Sequence, residues 1–509
     1  MEHLPHHDFS DVLAEQLRRA PYVLASLVAH VMLLMLVAGM MLLQREETEA
    51  PTVLAQAAPP PPLIDEDPPP DDPPPPVPVE TIEPQVVPTE VLADALDLIE
   101  KGDPEQNAKS PFDSLSDNAV IGVGGPPGGM KGGPGGPGSG GPPRATEAAV
   151  QDALRWLADH QTPSGLWDAD AFMHWDVHAD KPASTGPGNP VVDVGLTGLA
   201  LLAFEANGNS PSEGAYADRV ARGVNWLKSV QRDDGLFGDE VGNPTLYNHA
   251  IATMAVGEAY WMTRRSPLLK SSLQDATGLI LNARNDYGAW RYRLEPTGDN
   301  DSSITGWMVF ALKTAEAGGI AVDAGAWRGA EDWLASMEDK STGRVGYVWE
   351  AGPGSLPSRP AHLVDAFPAE RSEALTAVAL LSRVFMTDGD SVRRWEDHPQ
   401  YESLRRQADL VRAKLPRWDE SDGSIDLYYW YYGTFAMNQW GGKHWRDWER
   451  ALRDALLPNQ RREDSADNHF GSWDPAGAWG EEGGRVYSTA LCALMLEVYY
   501  RYARVLGAR

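Results

Sequence analysis

The sequence predicts an all-α fold in which six inner and six outer helices alternate around a closed ring, an (α/α)6 toroid. Two observations predict it: a Gln–Gly–aromatic pattern that recurs beyond residue 144, and helices of two kinds that alternate there. Composition adds a third, because all 18 tryptophans lie beyond residue 150 while more than half of the 41 prolines lie between 51 and 143. A packed aromatic core is therefore expected only in the second part of the chain.

The recurring pattern joins a Trp–Leu pair, a Gln and a Gly–x–aromatic triplet at one spacing. The first copy contains Gln161 and ends at Trp167, and the second contains Gln231 and ends at Phe237. The glycine allows a tight turn, the ring packs on it, and the Gln can bond to backbone groups at the start of a neighbouring helix. Weaker copies contain Arg284 and Trp290, Glu338 with Gly346 and Tyr347, Gly423, and Gln460 with Trp473. We predict that these residues are scaffold.

Helices of two kinds alternate after residue 144. An amphipathic helix can face water on one side, whereas a helix that is apolar on nearly every side has to be buried. Six hairpins of one outer and one inner helix satisfy both conditions when they close into a ring. The predicted outer helices are 144–161, 217–231, 266–284, 325–338, 401–414 and 443–458. The predicted inner helices are 191–206, 245–261, 303–317, 371–386, 427–440 and 486–503.

The residues before the toroid predict an anchor and a spacer. The apolar run 22–43 is long enough to span a bilayer, and its flanking charges place residues 1–21 in the cytoplasm. A cleaved signal peptide is the competing interpretation, but charged residues separate the run from the peptidase-like site at 55–57. Residues 44–143 are rich in Pro and acids and then in Gly and Pro, which predicts a disordered linker. We therefore expect a single-pass protein of a bacterial inner membrane, with a periplasmic toroid at 144–509.

Ser26 and His30 lie on one face of the predicted membrane helix. This pair, followed by a proline-rich run, resembles the N-terminal anchor of TonB-family energy transducers over about the first 80 residues. The resemblance implies contact with the proton-channel subunits of a membrane motor. The alternative is a neutral His30 that bonds to a helix carbonyl.

The repeat with its alternating helices resembles the squalene cyclase and protein prenyltransferase superfamily, whose Gln–Trp (QW) repeats mark an α/α toroid. The resemblance covers about residues 144–509 and implies the fold, but several activities share that fold. Cyclases of this family protonate an alkene with the middle Asp of Asp-x-Asp-Asp-Thr. By resemblance Asp301 would be that acid and Asp299 its partner, although Ser302 and Ser303 replace the last two residues. The alternative is that Ser302 or Ser303 caps the next helix.

Other chemistries of the family lack their residues. The single cysteine, Cys492, lies in an apolar helix with no nearby Asp, so neither a prenyltransferase zinc site nor a reactive thioester is expected. His174, Asp176 and His178 occupy alternate positions of a predicted loop. They are either metal ligands or solvated side chains. We predict no metal and no cofactor. The net charge of −30 argues against nucleic acid as a partner.

The starts of the inner helices should meet at one mouth of the ring, where polar residues become pocket candidates. We predict catalytic roles there for Asp301, Asp299, His249 and Glu373. The predicted ligand-binding residues are Asp193, Asn248, Arg371, Tyr428, Tyr431, Arg485 and Tyr487. The favoured function is an envelope component that binds a small molecule, a polysaccharide or a protein and is coupled to a motor. The alternative is a terpenoid cyclase-like or carbohydrate-active enzyme.

Overall fold

The computed structural model describes residues 144–285, 288–348, 351–387, 392 and 394–501. The predicted cytoplasmic segment, membrane helix and linker, with Ser26 and His30, lie outside the described residues. No helix within the described part is long and apolar enough to cross a membrane.

The described residues form two sets of helices, as the alternation predicted. The outer helices are α1 (Arg144–Asp159), α3 (Ala217–Ser229), α5 (Pro267–Asn282), α7 (Ala324–Ser336), α9 (Tyr401–Ala413) and α11 (Gly442–Leu456). The inner helices are α2 (Asp193–Ala206), α4 (Pro244–Met262), α6 (Ser302–Ala317), α8 (Ala374–Met386), α10 (Leu427–Trp440) and α12 (Gly480–Arg501). Helix α8 begins three residues later than predicted, and α12 begins six residues earlier and bends at Gly484, whose φ is +65°.

The inner helices close a ring. Each one packs on the next in chain order, and α12 packs on α2. The outer helix α1 packs mainly against α12, so the first outer helix belongs to the hairpin of the last inner helix. The inner helices are buried on nearly all sides; in α4, for example, most residues have less than a tenth of their surface exposed. The architecture is an α/α toroid, as predicted.

Three of the repeat copies tie an outer helix to the next one. The side-chain amide of Gln161 donates to the carbonyl of Arg219 in α3 at 2.9 Å, and that of Gln231 donates to Ser272 in α5 at 3.0 Å. Gln460 donates to Ala149 in α1 at 2.8 Å and so closes the ring. The predicted contact of the Gln with the neighbouring helix is therefore observed in three copies.

The aromatic residue and the glycine of a copy have separate tasks. The indole N–H groups of Trp167, Trp290 and Trp473 donate to the last turn of the preceding outer helix at 2.7–2.8 Å. Gly471 has a φ of +94°, and a Cβ there would lie 2.2 Å from the carbonyl oxygen of Asp152 in α1. A side chain at position 471 would therefore push the turn of this repeat copy away from α1.

The fourth copy differs from the prediction. Gly346 and Tyr347 were assigned to its turn, but the turn glycine is Gly343, with a φ of +84°, packed on α9. The turn is closed by the N–H of Gly343, which donates to the carbonyl of Asp339 at 2.7 Å. The assignment was wrong because one extra residue in the turn shifts the pattern, and it leaves Tyr347 beyond the turn.

Candidate functional site

A cavity of about 590 Å³ lies where the inner helices begin, the end of the ring called the mouth below. Its wall comes from the first turns of α2, α4, α6, α10 and α12 and from the connecting segments around them. The volume falls within the range of small-molecule sites.

The cavity wall is mainly apolar and aromatic. Seven aromatic residues contribute: Tyr247, Tyr292, Trp307, Tyr347, Tyr428, Trp479 and Tyr487. Six aliphatic side chains from α2, α4 and the segments before them also contribute. Among the described residues of the wall, Glu482 is the single acid and there is no Lys, Arg or His. Glu482 accepts a hydrogen bond from the amide of Asn189 at 3.0 Å.

One chain of hydroxyl groups runs along the wall. The hydroxyl of Tyr247 donates to Oγ of Ser303 at 2.9 Å, and Oγ of Ser303 lies 2.7 Å from the hydroxyl of Tyr428. These residues belong to α4, α6 and α10, so the chain joins three inner helices. Ser303 therefore holds two tyrosines in place, and neither Ser303 nor Ser302 caps α6.

The cap of α6 is Asp301. Its Oδ1 accepts the N–H of Ile304 at 2.8 Å, and the residue is fully buried. Its Oδ2 accepts a hydrogen bond from the hydroxyl of Tyr347 at 3.4 Å, and that hydroxyl in turn contacts the hydroxyl of Tyr292. Burial raises the pKa of Asp301 to about 7, against the opposing effects of the Ile304 N–H and of Arg291. Asp301 does not line the cavity, and the cavity-lining Tyr347 connects it to the wall.

Three of the predicted ligand-binding residues line the cavity: Asn248, Tyr428 and Tyr487. The amide of Asn248 donates to the carbonyl of Val191 at 2.7 Å, which fixes the segment before α2 against α4. Tyr431, one turn after Tyr428, does not line the cavity; it is buried in the core and stacks on Trp307 at 5.8 Å between ring centroids.

Two of the predicted catalytic residues lie away from the cavity wall. The Asp299 side chain is 66% exposed and pairs with Arg291 at 3.2 Å, so it faces solvent rather than Asp301. His249 is fully buried, with Nδ1 accepting the N–H of Phe237 at 3.2 Å and Nε2 bonded to the carbonyl of Ala276 at 3.0 Å. Burial lowers the pKa of His249 to about 4, so it is a neutral link between a turn and α5.

Glu373, also predicted to be catalytic, is a buried ion-pair partner. Its carboxylate accepts two hydrogen bonds from Arg344 at 2.7 and 3.0 Å, contacts Nζ of Lys414 at 2.9 Å and accepts the hydroxyl of Thr376 at 3.0 Å. Both oxygens are occupied, and the residue does not line the cavity. The arrangement supports a structural role at the start of α8.

Three further predicted residues lie outside the wall. Arg371 is half-exposed and lies 3.5 Å from Asp422. Arg485 is buried and donates to the carbonyl of Thr185 and to the carboxylate of Asp474, both at 2.5 Å. Asp193 accepts the N–H of Ala169 at 2.8 Å, and burial raises its pKa to about 7.

The loop with alternating histidines is held by hydrogen bonds. Asp176 accepts Nε2 of His160 at 3.0 Å and the hydroxyl of Ser184 at 2.6 Å. The side chains of the described residues contain no group of three or more His, Cys, Asp or Glu placed to hold a metal ion.

A connecting segment between α7 and α8 covers part of the mouth. Pro357, Ser358 and Pro360 line the cavity. Between them, Arg359 turns inward and pairs with the buried carboxylate of Asp426, the cap of α10, at 3.0 Å. This buried pair fixes one wall of the cavity to the ring.

Sequence reasoning missed most of the aromatic wall. Tyr247 precedes Asn248 in the same helix start, and Trp307 lies in the first turns of α6, so their positions were a usable signal. Tyr292 and Trp479 lie in segments without helical periodicity, where no pattern indicates which way a ring points. Tyr347 was not predicted to line the cavity because it was assigned to a repeat turn.

The fold and the site define an α/α-toroid protein with a ligand-sized cavity at its mouth. No protein-family model and no curated protein sequence matches the chain.

Several solved structures have a similar arrangement of helices. Cellobiose 2-epimerase from Bacillus thermoamylovorans is 14% identical over 70% of this chain and 98% of that chain, with a TM-score of 0.46. An inactive variant of alpha-1,6-mannanase from Salegentibacter sp. is 11% identical over 70% and 99%, with a TM-score of 0.45. A type II terpene cyclase from Scytonema is 14% identical over 70% and 98%, with a TM-score of 0.43. Likeness at this level concerns the course of the helices and does not extend to a ligand or a reaction.

Proposed function

We propose that the protein binds a neutral, mainly apolar small molecule in the mouth cavity. The observation that carries this proposal is the cavity wall, in which seven aromatic rings and many aliphatic side chains surround about 590 Å³ with a single carboxylate. Transfer of apolar ligand surface into such a site supplies the free energy of binding, and the few amide and hydroxyl groups orient the ligand. An isoprenoid or polycyclic compound is the class that fits this chemistry.

A charged ligand fits the wall poorly. Burying an ion away from water is costly unless a partner of opposite charge meets it. The acids near the mouth have other tasks, because Glu373 pairs with Arg344 and Lys414, and Asp301 caps α6. The described residues of the wall include no Lys, Arg or His, so the wall offers no cation to an anionic ligand.

A fluorescence titration of the full chain with N-phenyl-1-naphthylamine, a neutral apolar probe, tests the proposal. The Val241→Trp variant places a large ring in the cavity, because Val241 lines the wall. We expect its affinity for the probe to fall by about tenfold or more. The matched control is Val177→Trp, which makes the same change at a side chain that is 54% exposed and outside the wall.

Equal binding by wild type, Val241→Trp and Val177→Trp would contradict the cavity as the binding site. Displacement of the probe by maltotetraose but not by geranylgeraniol would indicate that the cavity binds an oligosaccharide instead of an apolar molecule. Melting curves of the variants check that both remain folded.

A second candidate function is an acid-initiated enzyme, a cyclase-like barrel in which Asp301 is the proton donor. The observation that favours it is the contact between Asp301, whose pKa burial raises to about 7, and the cavity-lining Tyr347. A protonated carboxyl would deliver a proton through the Tyr347 hydroxyl to a ligand alkene, and the proton lost by the resulting cation would return to Asp301 by the same route. Incubation of the full chain with polyprenyl substrates tests this candidate. Conversion that Asp301→Asn abolishes would support it, and no conversion by wild type would contradict it.

The cellular setting is a separate proposal. Residues 22–43 would anchor the chain in an inner membrane, with the toroid in the periplasm and Ser26 and His30 against a proton-channel motor. Site-specific crosslinking at these two positions tests the coupling. No crosslink to a channel subunit, together with an unchanged phenotype of His30→Ala, would contradict it.

A further inference from the structure

A chain of two hydroxyl groups connects the cavity wall to the buried carboxyl of Asp301. Tyr292 lines the cavity and its hydroxyl contacts that of Tyr347, which donates to Oδ2 of Asp301 at 3.4 Å. The other oxygen, Oδ1, is occupied by the N–H of Ile304 at 2.8 Å. A proton carried by Asp301 therefore belongs on Oδ2, the oxygen that faces Tyr347.

The protonation of Asp301 decides the direction of this chain, because each tyrosine hydroxyl has one hydrogen. An ionised Asp301 accepts the hydrogen of Tyr347, and Tyr347 then accepts the hydrogen of Tyr292. Tyr292 then presents only lone pairs to the cavity. A protonated Asp301 donates to Tyr347, Tyr347 donates to Tyr292, and the hydrogen of Tyr292 becomes free to bond a ligand.

The groups around Asp301 determine which state it adopts. Arg291 favours the ionised form, as do the N–H groups of Ile304 and Ser303 at the start of α6. The remaining titratable neighbours are tyrosines, namely Tyr292, Tyr347, Tyr247 of α4 and Tyr428 of α10. Among the described residues no cation forms an ion pair with Asp301, whereas Arg344 and Lys414 both pair with Glu373.

We propose that Tyr292 is a subsite for an acceptor oxygen of the ligand, and that it donates to this oxygen only when Asp301 is protonated. This inference rests on the proposed function, because it names a chemical group of the ligand of that same cavity. The ligand is then an apolar molecule with a carbonyl, ether or hydroxyl oxygen, and its binding takes up a proton. Burial raises the pKa of Asp301 to about 7, so the change occurs near neutral pH.

Two naphthalene probes of the same shape test the subsite with the full chain. 2-Acetylnaphthalene carries an acceptor oxygen, 2-isopropylnaphthalene does not, and neither titrates near neutral pH. Affinities are measured at about pH 5.5 and about pH 8.5, on either side of the Asp301 pKa of about 7. We expect the ketone to bind about fivefold more weakly at the higher pH, the worth of one hydrogen bond, and the hydrocarbon to show no change.

Three variants identify the residues responsible. Asp301→Asn keeps an oxygen for Ile304 and its amide donates to Tyr347, so the ketone should bind at both pH values as tightly as it binds wild type at the lower one. Tyr292→Phe should bind the ketone weakly at both pH values and keep its affinity for the hydrocarbon. Asp159→Asn is the control: burial also raises the pKa of Asp159, but this residue ends α1 outside the wall, and the pH dependence should persist.

The outcomes separate the subsite from the proposed function. Binding of both probes without a pH dependence, or a dependence that survives in Asp301→Asn, would overturn the subsite and leave the cavity as a binding site. If neither probe binds, the proposed function fails. The chain of hydroxyls is then tested by a measurement that needs no ligand. The infrared carboxyl band of Asp301 should then titrate at a different pH in Tyr292→Phe than in wild type, although Tyr292 does not touch Asp301. An unchanged titration would overturn the proposal.

Discussion

Asp301 and Glu373 occupy the same place in neighbouring hairpins. Each directly precedes an inner helix, α6 or α8, and each is fully buried. Glu373 is surrounded by Arg344, Lys414 and Thr376, whereas the oxygens of Asp301 meet a backbone N–H and the hydroxyl of Tyr347. The same residue class at the same position therefore contacts a cavity-lining tyrosine in one hairpin and forms buried ion pairs in the next.

The two acids differ in the groups that contact them, not in how deeply they are buried. A buried carboxylate that meets cations holds two elements together through its ion pairs, while burial raises the pKa of one that meets only neutral donors. Burial raises the pKa of Asp301 to about 7, so its charge can change near neutral pH. Position at a helix start predicts a candidate, and the partners decide its role.

The largest effect is expected from Glu373→Gln. The change leaves Arg344 and Lys414 without their counter-charge at a largely buried site, and we expect a loss of about 3 kcal/mol in the free energy of unfolding. Denaturant unfolding measures it. Asp409→Asn is the matched control, because its ion pairs on α9 are exposed, and it should lose less than about 1 kcal/mol. Similar losses in the two variants would mean that Glu373 is not a structural acid.

Asp301→Asn should have a smaller effect that depends on pH. The folded pKa of about 7 lies above the unfolded value of 3.8, so between these values the folded state holds a proton that the unfolded state has lost. Stability of the wild type therefore falls as pH rises from about 4 to about 7. The neutral Asn does not titrate, and we expect the variant to be about 2 kcal/mol more stable than wild type at about pH 8. Unfolding curves across this range measure the difference; a parallel decline in both proteins would contradict the raised pKa.

Tyr347→Phe should have the smallest effect of the three. Its hydroxyl donates to Asp301 and favours the ionised carboxylate, so its removal should raise the Asp301 titration midpoint by about half a pH unit. Carbon-13 resonances of the Asp carboxyl groups report that midpoint. Tyr216→Phe, at the start of α3, should leave it unchanged. A midpoint that falls in Tyr347→Phe would contradict the hydrogen bond.

Periodicity in the sequence was sufficient to predict the ring. The inner helices are apolar on nearly every side and the outer ones on one side, a difference visible in the residues themselves. The contacts of Gln161 and Gln231 with the next outer helix followed from the repeat. The fourth turn was misplaced by one extra residue, because a pattern with Glu338 in place of Gln has no unique alignment.

The site was predictable only in part, since the start of a helix does not specify a direction. Asn248 lines the cavity while the adjacent His249 is turned into the core, because successive helical residues point about 100° apart. The ion pair between Arg344 and Glu373 was not predictable either, because the two residues lie 29 positions apart and no local pattern connects them. The aromatic wall depends on such long-range contacts.

The central claim, that the mouth cavity binds a neutral apolar molecule, is tested most directly by native mass spectrometry of the full chain. Wild type, Val241→Trp and Val177→Trp would each be incubated with a total lipid extract and then separated from free lipid. We predict a neutral small-molecule adduct on wild type and on Val177→Trp, and its absence from Val241→Trp. No adduct on any of the three, or the same adduct on all of them, would contradict the account.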